Sequence, residues 1–316
     1  MSAEPSQAKT FGGDRLPLRR IVLGTRGSEL ARTQTTMVVE ALQRSWPSLD
    51  IAAKIISTRG DLRPEAPLDP RAGRKGLFTG EIERALAARE IDVAVHSAKD
   101  LPSEMTTGLA LGAVLSRAPV EDVLVSKTIG SGPIATGSVR RQHQLRWKFP
   151  GVEVVDLRGN VPTRLRKLVE NDWRAVVLAQ AGLERLGYNV ANGSIEFEGR
   201  ALRADKLSAL DFLPAGGQGI IVLQIRADDE KASLAVGAIN HRETLSCLEA
   251  EREFLRLLQG DCGSPVGVLA TITDSTITIR AEVFEPSRVE PRSAQVEGDA
   301  STPKKVAAEL WKKING

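Results

Sequence analysis

The chain has 316 residues, 41% of them hydrophobic and 26% charged, with a formal net charge of +3. That profile suits a globular protein of two or three domains, each of roughly 100–150 residues, and no apolar run approaches the roughly 18–20 residues of a membrane helix. Aromatic residues are only 4%, too few for a single-stranded nucleic-acid stacking platform. Two cysteines and three histidines suit a reducing compartment and leave no cluster with zinc-ligand spacing, so no metal is expected.

Residues 1–19 lack an apolar core and read as a disordered tail, not a secretory signal, which places the protein in the cytoplasm. A strand is predicted over 20–24, followed by the turn Thr25-Arg26-Gly27-Ser28 and a helix from Glu29. A second strand over 51–57 ends in Ser57-Thr-Arg-Gly-Asp61. The polar, Pro-rich stretch 62–75 has neither strand nor helix periodicity and reads as a mobile loop. A helix over 80–89 and a strand over 91–95 follow, and their alternation implies a mainly parallel sheet. The strand delivers His96, Ser97, Lys99 and Asp100 at its C-terminal end, where open α/β sheets bind ligands.

The pattern then repeats. Thr136-Gly137-Ser138 precedes a helix as the first turn does, and 175–183 parallels 93–101. Two similar lobes facing a shared cleft follow, with lobe 1 at 20–116 plus 218–238 and lobe 2 at 120–213. Residues 240–316 change character and read as a small α+β domain: a helix to Leu258, the loop Gly260-Asp-Cys-Gly-Ser-Pro265, strands over 266–273 and 276–284, and a last helix over 303–313.

Both Thr/Ser turns place hydroxyls and free N–H groups at a helix start, a geometry that binds anions. Plain N-capping by Ser28 and Ser138 explains the same residues. Capping does not call for cations, which are unfavourable beside the positive end of a helix dipole, yet Arg26 sits in one turn and Arg140-Arg141 open the helix at the other. Arg158, Arg164 and Arg185 add guanidinium groups at further turns. Such forks pair with carboxylates or phosphates in bidentate fashion, so the set suggests a ligand with several negative groups. Cys262, in a polar and tight loop, is either an attachment point or nucleophile, or an inert thiol. A non-catalytic two-lobed binder of an anionic solute would account for the cleft but not for an attachment cysteine. DNA binding would account for the basic residues but not for Asp100, and no recognition-helix pattern is present.

Ordered segments through most of the chain resemble the porphobilinogen deaminase family: Gly24-Thr-Arg-Gly-Ser-Glu-Leu-Ala31, Lys75-Gly-Leu-Phe78, Val95-His-Ser-Ala-Lys-Asp-Leu-Pro102, Ser138-Val-Arg-Arg-Gln142, Leu157-Arg-Gly-Asn-Val-Pro-Thr-Arg-Leu165, Leu213-Pro-Ala-Gly-Gly-Gln-Gly219 and Gly260-Asp-Cys-Gly-Ser-Pro-Val-Gly267. The resemblance implies a transferase of tetrapyrrole biosynthesis that joins four porphobilinogen molecules head to tail into hydroxymethylbilane, releasing ammonia each time. It implies a dipyrromethane primer linked covalently to Cys262. The implied fold has two lobes like those of type II periplasmic binding proteins, with a third domain carrying the cofactor loop. The implied working unit is a monomer, with neither nucleic acid nor membrane as partner.

By the same resemblance, Asp100 would contact pyrrole N–H groups and stabilise cationic intermediates. Lys99 would bind a carboxylate and support the ionised Asp100 through its charge. With Lys99 and Asp100, cofactor contacts would come from Thr136, Ser138, Arg140, Arg141 and Gln218. Substrate contacts would come from Arg26, Ser28, Arg158, Arg164 and Arg185, with Lys75 and Phe78 on a loop over the cleft. Gly137, Pro162, Arg174 and Asp261 depart from the family's usual residues. Hinges are expected near 116–120 and 214–219.

Overall fold

The computed structural model describes residues 18–58, 79–127, 132–259, 264–285 and 288–316. Expectations at Lys75, Phe78 and Cys262, and for the stretches 1–17 and 62–75, lie outside the described residues. The chain first forms β1 (Arg20–Thr25), α1 (Glu29–Ser45), β2 (Asp50–Ile55), α2 (Gly80–Ala87), β3 (Val93–Ser97) and β4 (Leu109–Val114). Next come β5 (Asp122–Ser126), β6 (Ile134–Ala135), α3 (Val139–Lys148), β7 (Val154–Val155), α4 (Val161–Glu170), β8 (Ala175–Ala179), α5 (Gln180–Arg185), β9 (Ser194–Phe197) and β10 (Arg200–Leu207). The remainder is β11 (Ile221–Arg226), α6 (Glu230–Gly237), α7 (Arg242–Leu257), β12 (Val266–Thr273), β13 (Thr276–Val283), β14 (Arg292–Asp299) and α8 (Pro303–Asn315).

These elements build three sheets. The first runs β2-β1-β3-β11-β4 and the second β7-β6-β8-β5-β10-β9. Their first five positions correspond in order, so the repeated turns lead from equivalent strands, β1 and β6, into equivalent helices, α1 and α3. Two similar α/β lobes are therefore present, as the repeat implies. Each sheet is mixed, not mainly parallel: β11 runs antiparallel to β3 and β4, and β5 antiparallel to β8 and β10. The cause is an exchange of strands. Each lobe takes one central strand from chain that has just left the other lobe, and that strand enters in the opposite sense.

Local chemistry explains the elements that hold the site. Ser28 caps α1 by accepting from Ala31 N, Glu29 occupies its first turn, and Gln34, Thr35, Val38 and Leu42 form a buried face at helical spacing. β3 lies between β1 and β11 with Val93–His96 buried, as a central strand covered on both faces must be. The third sheet, β12-β13-β14, packs against α7 and α8 around Phe254, Ile277, Ile279, Ala281 and Leu310.

Two chain segments, 115–121 and 208–220, cross between the lobes, and both are pinned to the third domain by one buried carboxylate. Glu251 of α7 accepts from Arg117 Nη1 at 2.6 Å, Gly217 N at 2.7 Å and Ala270 N at 2.8 Å. Arg117 also donates to the carbonyl of Gln218 at 2.9 Å. The segments expected to act as hinges are thus tied to each other and to α7. Removing one partner of a buried, hydrogen-bonded ion pair costs roughly 3–5 kcal/mol. Glu251→Ala is therefore expected to lower unfolding stability by about that amount, measured by urea titration; a loss under about 1 kcal/mol would show that the pair does not hold the crossings.

Candidate active site

The C-terminal end of β3 runs into a single turn of 3₁₀ helix, Ala98–Asp100, which presents Lys99 and Asp100 at the sheet edge. The crossing segment packs directly on this turn. Gly217 has φ +74°, and a Cβ there would lie 2.8 Å from Ala98 Cβ and 3.0 Å from Lys99 N, so only glycine fits without displacing the backbone. Gln218 follows, with its Oε1 3.5 Å from Lys99 Nζ. Arg26, Ser28, Ser97 and Asp100 line one pocket on this lobe.

Across the cleft, α3 begins Val139-Arg140-Arg141, with no acidic residue in its first turn. The anion that permits two arginines there is internal. Asp122, fully buried at the start of β5, accepts from Arg140 Nη2 at 2.7 Å, Arg141 Nη2 at 2.6 Å and Gln218 Nε2 at 2.9 Å. Burial by itself would raise the Asp122 carboxyl, but the charges and hydrogen bonds of the two arginines outweigh it and hold the group well below the usual carboxylate range. Arg140 also donates to Gln144 Oε1 and the Leu213 carbonyl, while Gln144 reaches Glu282 of β13 at 3.1 Å. Arg141 donates to the Val177 carbonyl at 2.7 Å. An internal anion thus accounts for the position of both arginines: Asp122 engages both, and the Nε atoms of both remain buried without a hydrogen-bond partner.

The remaining predicted residues divide between cleft and scaffold. Burial, followed by the charge of Arg141, brings Lys99 down to about 8. Burial, again followed by Arg141, brings Arg164 down to about 10, against the opposing pull of Asp100 and Asp156. Lys99 and Asp100 of one lobe therefore share a field with Arg141 and Arg164 of the other. Arg185, brought to about 10 by burial, donates to the Gly219 carbonyl at 2.6 Å and keeps a buried Nε without a partner. Arg158 pairs with Asp156 at 3.0 Å at the rim. Ser138 caps α3 weakly, at 3.5 Å from Arg141 N, and buried Thr136 accepts from Ser138 N at 3.3 Å, so the capping explanation of this turn also holds.

Two departures have structural reasons. A Cβ at Gly137 would sit 2.3 Å from the Leu157 carbonyl oxygen, so the closeness of the segment after β7 excludes a side chain. Pro162 lies in the first turn of α4, where its missing N–H removes no intrahelical bond. Asp122, Gln144 and Glu251 were not among the predicted site residues, since each lies outside a recognisable turn, and Arg117 was read only as part of an expected hinge. The one available signal was electrostatic: adjacent arginines at a helix start need a buried counter-charge.

A carboxylate with a depressed folded value contributes stability that is present above its unfolded value, about 3.9, and lost as pH falls through the folded one. Asp122→Asn should cost roughly 3–5 kcal/mol at pH 7. The gap to the parent should begin to close below about pH 4, measured as urea midpoints across pH; a gap independent of pH would contradict the ion-pair account.

Known proteins match this sequence over both parts. Residues 21–233 match the family described as porphobilinogen deaminase, dipyromethane cofactor binding domain, and residues 245–315 match the porphobilinogen deaminase C-terminal domain. The porphobilinogen deaminase of Moorella thermoacetica is 40% identical, covering 93% of this chain and 92% of its own. That of Syntrophobacter fumaroxidans is 38% identical, covering 92% and 93%, and that of a Roseiflexus species 42%, covering 83% and 85%. With both domains matched in order and the cationic cleft between the lobes, this chain belongs to the porphobilinogen deaminase family.

Proposed function

We propose that the turn of Lys99 and Asp100, facing Arg141 and Arg164, is where this chain condenses four porphobilinogen molecules into hydroxymethylbilane with loss of ammonia. The observation that carries the assignment is the shared electrostatic field of those four groups, drawn from both lobes. Each pyrrole bears an acetate and a propionate, so the ligand brings several carboxylates to a cleft rich in buried cations.

The family's dipyrromethane cofactor suits the residues present. Arg140, Arg141 and Arg185 keep buried Nε donors without hydrogen-bond partners, so donors remain in the cleft beyond those that Asp122 engages. Lys99, Arg141, Arg164 and Arg185 would hold its carboxylates, and Cys262 would carry the covalent link. When bound, dipyrromethane supplies the nucleophilic pyrrole end from which the product grows. Asp100 accepts from pyrrole N–H groups and offsets positive charge that develops on the substrate as ammonia leaves. Lys99 grips a carboxylate beside it. Arg140 and Gln218, engaged by Asp122, act by positioning Arg141 and Lys99. Arg26 and Ser28 take a substrate carboxylate on lobe 1, with Arg158 at the rim.

The lobes are assigned to 20–116 with 218–238 and to 120–213, and the cofactor-bearing domain to 240–316. The family resemblance supports porphobilinogen, a small molecule, as the substrate, and a cytoplasmic monomer that works without nucleic acid or membrane is part of the same reading. No helix among the described residues is long and apolar enough to cross a membrane.

The denatured intact mass of the active protein should exceed that of its sequence by one dipyrromethane, and Cys262→Ser should lack the excess; an active parent without it would end the proposal for Cys262. A second outcome concerns Lys99. In cofactor-free protein, calorimetric affinity for a dipyrrole tetracarboxylate should fall by up to about tenfold between pH 8 and 9 as Lys99 loses its proton. Lys99→Met should bind more weakly throughout and lack that step; an unchanged step would assign it to another group.

A further inference from the structure

Thr79 stands at the N-cap of α2, where a threonine hydroxyl ordinarily accepts from a backbone N–H of the first turn. Here it does not. Its φ of −118° and ψ of −26° are helical instead of extended, and no side-chain cap bond forms. Its Oγ1 is buried without a hydrogen-bond partner. The residue is only 1% exposed, yet it lines the lobe 1 pocket with Arg26, Ser28, Gln34, Ser97 and Asp100. A buried hydroxyl left unmet costs folding free energy, and its place in a pocket points to a ligand that meets it.

The polar groups around it are committed elsewhere. Ser97 Oγ and the Gln34 amide bond to each other, at 2.9 Å and 3.2 Å. Glu83 accepts from Thr106 Oγ1 at 2.8 Å and from Gln224 Nε2 at 2.9 Å, and Glu81 pairs with Arg84 at 2.9 Å. These two acids in the first turn of α2 offset the positive end of its dipole. What this helix start offers a ligand is therefore the hydroxyl itself. Ser28, the N-cap of α1, accepts from Ala31 N through its Oγ at 3.4 Å, and its O–H makes no printed bond among the described residues.

We infer that Thr79 is a substrate-binding residue whose hydroxyl donates to the porphobilinogen carboxylate taken by Arg26 and Ser28. A hydroxyl can donate or accept, and the charges in the pocket decide between the two. Arg26 attracts an anion, while Asp100 is committed to pyrrole N–H groups and repels a carboxylate placed beside it. The anion is thus left to Arg26, Ser28 and Thr79. Two carboxylate oxygens offer about four lone-pair sites, so one guanidinium and two hydroxyls do not exhaust them. Bound in this way, a single carboxylate ties together the starts of α1 and α2 and sets the orientation of the ring toward Asp100.

This inference rests on the assignment of the pocket to substrate, and the test keeps the two apart. The probe is porphobilinogen with methyl in place of aminomethyl, which cannot lose ammonia, and its affinity for the holoenzyme is read by calorimetry. Thr79→Val keeps the side-chain shape without the hydroxyl and should weaken the probe roughly tenfold. Thr79→Ser should restore most of the affinity. Two truncated probes, with methyl in place of the acetate or ethyl in place of the propionate, locate the bond. With one of them, the gap between Thr79→Val and the parent should close. The urea midpoint of Thr79→Val should equal or exceed that of the parent, since the hydroxyl has no partner in the free protein. In turnover the variant should raise KM with a smaller change in kcat. Unchanged probe affinity in Thr79→Val, or a gap that persists with both truncated probes, overturns the inference; a lowered midpoint with unchanged affinity would make Thr79 a structural cap. If Arg26→Ala weakens the probe while Thr79→Val does not, only the role of Thr79 falls. If neither weakens it, the pocket assignment falls too.

Discussion

A carboxylate with no solvent exposure, Asp122, holds the cleft together. It joins α3 of the second lobe to the crossing segment through Gln218, and Gln218 in turn approaches Lys99 of the first lobe. A buried anion is tolerable only with its charge matched and its lone pairs filled, so each of these neighbours is constrained in position. Arg141 and Lys99 are thus placed by the same anion while lying in different lobes. The cost of desolvating three cations near one another is met by this single charge and by whatever anion the cleft receives.

The third domain enters the same network from two sides. Glu282 of β13 reaches Gln144, which shares the Leu213 carbonyl with Arg140. Glu251 of α7 takes both crossing segments. Aromatic contacts of His143 and Trp147 with Phe284 back the first of these junctions. A displacement of the third domain would therefore be felt at α3 and at both crossings together, a coupling through contiguous hydrogen bonds. Since low-dielectric surroundings strengthen such bonds and make their loss costly, the three units are coupled through these shared hydrogen bonds.

Within lobe 1, the same principle works on neutral groups. Glu83 takes hydrogen bonds from Gln224 and Thr106. The two lobes thus use buried carboxylates differently. Asp122 compensates cations, while Glu83 gathers uncharged donors at α2.

Strand-end turns, the internal repeat and the ordered segments from Gly24 to Gly267 were legible in the sequence because each is local: a hydroxyl beside a helix start, a glycine at a turn, a lysine next to an aspartate. These determined the family, the two-lobed plan and the set of candidate cations. What the tertiary structure decided is how those cations are used. That Arg140 is engaged by Asp122, Gln144 and Leu213, that Arg117 binds Glu251 across 134 residues, and that Thr79 shares a pocket with Ser28 and Asp100 all depend on partners far apart in the chain. The strand exchange that makes both sheets mixed is hidden for the same reason. Helix periodicity and turn chemistry act over a few residues, whereas the pairing of a buried charge is fixed only when the chain closes around it.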